Sequence, residues 1–185
     1  MDYVITRSYI KDSQQLIISL IMAYFIDVEG FQHGKNGKFL IKELCILSAD
    51  EPLSPYYKIF TPSKPWCQMK DDDAAKKSTY RYQTNMVHHL KWDEGWHKYC
   101  NNCVWREIKK SFPNWRNGMF YVLGESKLKI LKSEFPKLKL VPYNATLSTL
   151  PAIGSHIRCM YRDHSVDHCA CLKCYKLYKH YTTFV

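Results

Sequence analysis

No Pro/Gly/Ser linker, internal repeat or low-complexity tract interrupts the 185 residues. Their absence excludes a fibrous or disordered protein and leaves nowhere to divide the chain, so one domain spanning residues 1–185 is expected. Long apolar runs are lacking too. The longest, residues 16–26 ("LIISLIMAYFI"), stops at Asp27, about half the length a membrane-spanning helix needs. Nor does it read as a secretory leader, because Asp12 precedes it and "DVEGF" replaces the small-residue cleavage site. An intracellular location, in cytoplasm or nucleus and away from membranes, is the expectation. In that reducing setting the cysteines would serve packing or metal binding rather than disulfides.

Acid is in short supply: 17 Asp and Glu face 27 Lys and Arg, a formal charge of +10. This imbalance favours a polyanionic partner, nucleic acid before an anionic membrane surface, and names no protein partner. Basic residues recur with interleaved aromatics through residues 106–116, 127–139 and 158–179, as a surface that tracks a phosphate backbone would need. What is abundant is apolar: 46% hydrophobic and 15% aromatic residues make a packed protein. A chain of this length buries about 70% of its unfolded surface, so folding requires neither disulfides nor metals.

Residues 22–31 ("MAYFIDVEGF") read as a buried strand, and residues 32–38, with two glycines, as a turn. Residues 39–47 ("FLIKELCIL") are its natural hairpin partner, and residues 56–60, between Pro55 and Pro62, suit an edge strand. A helix is expected over residues 71–90, opening with three aspartates, and another over 96–112 with Trp96, Cys100, Cys103, Val104 and Ile108 on one face. A strand at 118–124, a helix at 126–135, a strand at 138–144 and a basic, aromatic helix at 168–181 complete the chain. Three strands followed by alternating helices and strands predict an α/β protein, a mixed sheet flanked by helices over residues 22–181, in the order of the ribonuclease H-like fold. Residues 1–21 form an extension without an assigned element.

"FIDVEGF" resembles the first motif of the DEDD exonucleases, in which a strand ends in Asp-x-Glu. Alternation places Asp27 and Glu29 on one strand face, within reach of one divalent ion. The resemblance implies two-metal phosphodiester cleavage with magnesium or manganese. The family's second motif would put an aspartate where this chain has Lys127, Leu128 and Lys129 after Gly124, and a lysine there repels the ions. For the third motif, "DHSVDHCA" offers His164 with Asp167. If the chain cleaves, Asp27, Glu29 and Asp167 are the catalytic carboxylates, and weak or absent activity is expected.

The same C-terminal stretch, "HIRCMYRDHSVDHC", spaces Cys159, His164 and Cys169 as Cys-x4-His-x4-Cys, with His156 and His168 alongside. Thiolates and imidazoles so concentrated suit tetrahedral zinc. An early Glu followed by late Cys, His and Cys resembles the Maelstrom domain, a ribonuclease H-like relative in which a Glu-Cys-His-Cys zinc site replaces the carboxylates and which is linked to RNA. The resemblance implies structural zinc on Glu29, Cys159, His164 and Cys169, with Glu43, His156 and His168 as alternates. "KEL" at residues 42–44 and "HCAC" at 168–171 are also similar to uncharacterised insect and insect-virus proteins of this superfamily.

The expected nucleic-acid surface, RNA favoured, comprises Lys127, Lys129, Lys132, Arg158, Arg162, Lys173 and Lys176 around the vestigial groove. An active exonuclease and a protein-interaction module on the same fold are the alternatives. Packing accounts for the Cys100/Cys103 and Cys171/Cys174 pairs, a helix end for His88 and His89, and a core or rim position for Tyr175, Tyr178 and Tyr181.

Overall fold

A computed structural model describes residues 22–32, 38–68, 74–153, 159 and 168–184. Among these residues six strands, β1 (Ala23–Gln32), β2 (Phe39–Ser48), β3 (Tyr56–Thr61), β4 (His97–Lys98), β5 (Met119–Leu123) and β6 (Leu140–Tyr143), form one sheet in the order β4-β3-β2-β1-β5-β6. The β1–β2 and β2–β3 pairs are antiparallel, whereas β1–β5, β5–β6 and β3–β4 are parallel. The protein is therefore α/β with a mixed sheet, consistent with a ribonuclease H-like layout. The expected edge strand, β3, lies one position in, because the two residues of β4 cover it.

Among the described residues, four α-helices flank the sheet: α1 (Ala74–Gln83), α2 (Asn101–Ser111), α3 (Glu125–Glu134) and α4 (Ala170–Tyr181). The long helix expected over 71–90 is cut short. After Gln83 the chain widens into a π turn, Thr84–His88, and stops at His89 in the left-handed region, φ 58°. The next helix begins later than expected, at Asn101, after an extended Cys100. Trp96, expected on its buried face, is 62% exposed, and the inward stripe is Val104 and Ile108. Cys100 is exposed and Cys103 half-buried, outside the core expected for them. Among the described residues no helix is long and apolar enough to cross a membrane.

Period-two alternation in β1 divides the molecule into two faces. Tyr24, Ile26 and Val28 pack with Leu44 and Ile46 against Val104 and Ile108 of α2 and Leu128 and Leu131 of α3. Phe25, Cys45 and Leu47 meet Ala170, Cys171, Cys174 and Leu177 of α4 on the other side. Each fully buried aliphatic or aromatic side chain contributes about 1.5–3 kcal/mol. Tyr175, Tyr178 and Tyr181 pack half-buried around this second core, a rim position as expected. None of the eight cysteines is in a disulfide among the described residues.

One irregularity positions the site. Glu29 pairs with Glu43 across β1–β2, but Gly30 pairs with Ile41, so Lys42 is an extra, bulged residue. A Cβ on Gly30 would come 2.1 Å from the Leu40 carbonyl oxygen, which excludes any side chain there. Lys42, fully buried, donates from Nζ to the carbonyls of Trp92 (2.7 Å) and Glu94.

Candidate functional site

The sheet face turned toward α4 carries three carboxylates, Asp27, Glu29 and Glu43, all buried. Strand pairing explains their convergence: Glu29 lies directly opposite Glu43, and Asp27 opposite Cys45. Like charges opposed across two strands destabilise a sheet unless compensated. Glu29 and Glu43 are relieved in different ways.

Asp27 and Glu29 are paired with lysines. Lys127, in the first turn of α3, donates to Asp27 Oδ1 at 2.8 Å, Asp27 Oδ2 at 2.7 Å and Glu29 Oε1 at 2.7 Å. Gly124, at φ 85°, precedes that turn and lets the chain swing from β5 into α3. Lys173 of α4 donates to the same Glu29 Oε1. Two carboxylates and two ammoniums make a neutral quartet. Burial raises the pKa of Asp27 against the opposing pull of Lys127 and Lys173. At Glu29 burial acts in the same direction, but the two lysines outweigh it and the net shift is downward. Burial would lower Lys127, yet Asp27 and Glu29 push it above the ordinary lysine value.

This geometry corrects two expectations. Lys127 and Lys173, assigned from sequence to a nucleic-acid surface, are internal counter-ions, the second only 7% exposed. Lys127 also does more than repel a metal: its ammonium sits between the two carboxylates where a divalent ion would be held. Lys129 and Lys132 are exposed, and Lys176 is half-buried.

Glu43 faces two thiols. One carboxylate oxygen of Glu43, Cys159 Sγ and Cys169 Sγ all lie within 4.8 Å of one another, and all three residues are buried. Cys169 Sγ is 3.6 Å from Glu43 Oε1 and also caps α4, accepting from Leu172 N at 3.4 Å. Tyr57 Oη lies 3.7 Å from Cys159 Sγ. Glu43 Oε2 is buried without a hydrogen-bond partner among the described residues. Burial, opposed by hydrogen bonding to Tyr57 and the Ala170 backbone and reinforced by the charges of Glu29 and Cys159, pushes the Glu43 carboxyl up to about 7. The contact with Cys159, then burial and the Glu43 charge, push the Cys169 thiol up. Two thiols and a carboxylate packed so closely are costly side by side, and a borderline-soft cation would reverse both shifts by drawing off the protons. The residues present fit a metal.

Of the expected ligands, Cys159 and Cys169 are therefore brought together, while Glu29 is held by the lysines and the alternate Glu43 stands in its place. His168 is half-buried beside Cys169, its ring 5.0 Å from that of His89, and is not one of the three clustered donors. His156, Arg158, Arg162, His164 and Asp167 lie outside the described residues.

Sequence reasoning overlooked the inward placement of half-buried Lys127 and buried Lys173, although a signal exists. Ala170, Lys173, Cys174 and Leu177 follow the i, i+3, i+4, i+7 spacing of an inward helix stripe, and Gly124, Lys127, Leu128 and Leu131 do the same. A lysine on such a stripe implies a buried acid opposite. His88, expected at a helix end, is fully buried: Nδ1 accepts from Leu90 N at 3.0 Å, while Nε2 has no partner among the described residues. No protein-family model matches the sequence, and no curated protein is significantly similar to it.

Proposed function

We propose that the chain is a nucleic-acid-binding protein, with RNA its preferred class, built on a ribonuclease H-like fold whose nuclease centre has been replaced by an internal ion-pair network. The observation that carries this reading is Lys127 Nζ at 2.7–2.8 Å from both Asp27 and Glu29. Two-metal phosphodiester cleavage needs open carboxylates that neutralise dications. Here the carboxylates are already neutralised, and a metal would have to displace two lysines.

Charge supports the nucleic-acid partner. Between residues 101 and 139, nine Lys and Arg stand against three Glu, and Arg106, Lys109, Lys110, Lys129, Lys132, Lys137 and Lys139 are exposed. Trp105 and Trp115 pack edge to face at 4.9 Å, with Lys109 5.2 Å from the first ring and Arg116 5.3 Å from the second. Basic residues with aromatics between them suit a sugar–phosphate backbone. The resemblance of the Glu/Cys/His/Cys pattern to the Maelstrom domain favours RNA. Glu43, Cys159 and Cys169 hold zinc in this reading, with His164 as fourth ligand from the sequence pattern. Such an ion would be structural, bracing the start of α4 against β2.

Anisotropy of labelled single-stranded RNA, titrated between low and moderate salt, tests the proposal. Log affinity should fall linearly with log salt, and Lys109→Glu with Lys132→Glu should weaken binding about tenfold or more. Absence of RNA binding, or magnesium-dependent cleavage abolished by Asp27→Asn, overturns the reading. Elemental analysis should find zinc in the wild type and not in Cys169→Ser.

A further inference from the structure

Two residues beyond Glu29 on the same face of β1, Phe31 leads into a cavity of about 540 Å³ whose lining includes Trp66, Tyr80, Arg81, Asn85, Trp92 and Asp93. Three of its lining residues are aromatic, Trp66, Tyr80 and Trp92, and the rest are polar or charged. Tyr80 stacks on Trp92 at 4.8 Å and 24°, Trp66 meets Trp92 at 5.7 Å and 61°, and Phe31 backs both Tyr80 and Trp92 at 5.2 and 5.1 Å.

The cavity is braced from three directions. Bulged Lys42 holds the carbonyls of Trp92 and Glu94. Trp92 Nε1 donates to the Lys64 carbonyl at 2.9 Å, and Asp93 Oδ1 accepts from Trp66 N at 2.9 Å. An aromatic cavity takes either a planar ring or a quaternary ammonium, and the charges around this one decide between them. Arg81 already lies over Trp66, 5.6 Å from its centroid, and Lys91 is exposed in the lining. The nearby carboxylates, Asp93 and Glu94, each accept a backbone N–H, from Trp66 at 2.9 Å and from Lys91 at 3.0 Å, and they balance the two cations without leaving an excess of negative charge. A second cation would meet Arg81 across the ring it needs. A nucleotide finds the opposite: Trp66, Tyr80 and Trp92 in the lining beside its base, Asn85 for the base edge, and Arg81 and Lys91 for its phosphates.

We propose that this cavity receives one unpaired nucleobase of a single-stranded RNA. The inference rests on the reading of the protein as a nucleic-acid binder and adds what the basic helices lack, a contact that distinguishes a base from a bare backbone. Unpaired bases are recognised by stacking on aromatic rings and guanidinium planes.

The test compares a short labelled RNA with an abasic ribose-phosphate strand of equal length, on the full chain and on Trp66→Ala and Arg81→Lys. The wild type should prefer the base-bearing strand about tenfold. Trp66→Ala should lose that preference and leave abasic binding unchanged, and Arg81→Lys, which keeps the charge but not the plane, should fall between. Thermal melts check each fold, and Arg81→Lys, an exposed position, carries the comparison if Trp66→Ala is unfolded. Equal binding of both strands by the wild type overturns the base pocket and leaves the basic-face reading intact. Binding of neither strand overturns both. Quenching of tryptophan fluorescence by a trimethyl-lysine peptide but not by a nucleoside monophosphate overturns the pocket in favour of a cation.

Discussion

Replacing Lys127 by Ala leaves Asp27, which has no exposed surface, without its nearest ammonium. Removing one partner of a buried ion pair costs about 3–5 kcal/mol, roughly 6–20 °C of Tm in a chain of this size. The vacated space lies between two carboxylates, so millimolar manganese should restore part of the loss in the variant and do nothing for the wild type. A variant that melts normally, or ignores manganese, contradicts the assignment of Lys127 as the resident cation. At His88, burial lowers the pKa from 6.5 to about 4. The folded state therefore resists a proton that the unfolded chain accepts. This contribution to stability is intact above pH 6.5 and lost as pH falls toward 4, about 3 kcal/mol in all. Urea denaturation of the wild type and His88→Phe at pH 7 and pH 5 should show a steeper loss in the wild type, and parallel losses would sink the idea.

Among the elements, α4 combines what sequence shows with what it hides. Its amphipathic pattern is plain from Cys171, Cys174 and Leu177, and the strands are equally plain, because β-branched and aromatic residues recur in short runs between turns. β4 was not legible: two residues are too few to carry a period, and His97 and Lys98 are held there by neighbouring β3. The bulge was hidden as well, since Lys42 and Glu43 are adjacent polar residues between two apolar runs and nothing in that pattern shows which is the extra one. At the start of α4, Cys169 is both helix cap and clustered donor. A strong zinc chelator should lower the Tm of the wild type and leave Cys169→Ser, already destabilised, unmoved. Equal sensitivity of the two would remove Cys169 from the metal.

At the level of the whole molecule, the site was half legible. Alternation placed Asp27 and Glu29 on one strand face, the resemblance to the DEDD motif marked them as a site, and the Cys/His density named the other end of the chain. The choice between Glu29 and Glu43 did not follow, because both point to one face and their partners lie far along the chain. Lys127 is 98 residues from Glu29 and Lys173 is 144. Only the packing of α3 and α4 on opposite faces of the sheet brings those amines to one carboxylate. The surplus of positive charge was visible in composition, but composition does not separate lysines that face solvent from those that hold the interior together.

That separation gives the molecule an uneven chemical reactivity. An amine-acylating reagent at neutral pH should modify Lys109, Lys110, Lys129 and Lys132 quickly, and bound RNA should shield them. Lys127 and Lys173 should resist with or without RNA, because their ammoniums are locked to carboxylates. Lys42 is the unusual case: burial lowers its pKa to about 7, so its amine is a ready nucleophile that the reagent cannot reach while the β1–β2 ladder is closed. Its slow acylation, followed by mass spectrometry, should therefore time the opening of the bulge itself, a clock for local unfolding in the strand that bears Glu43.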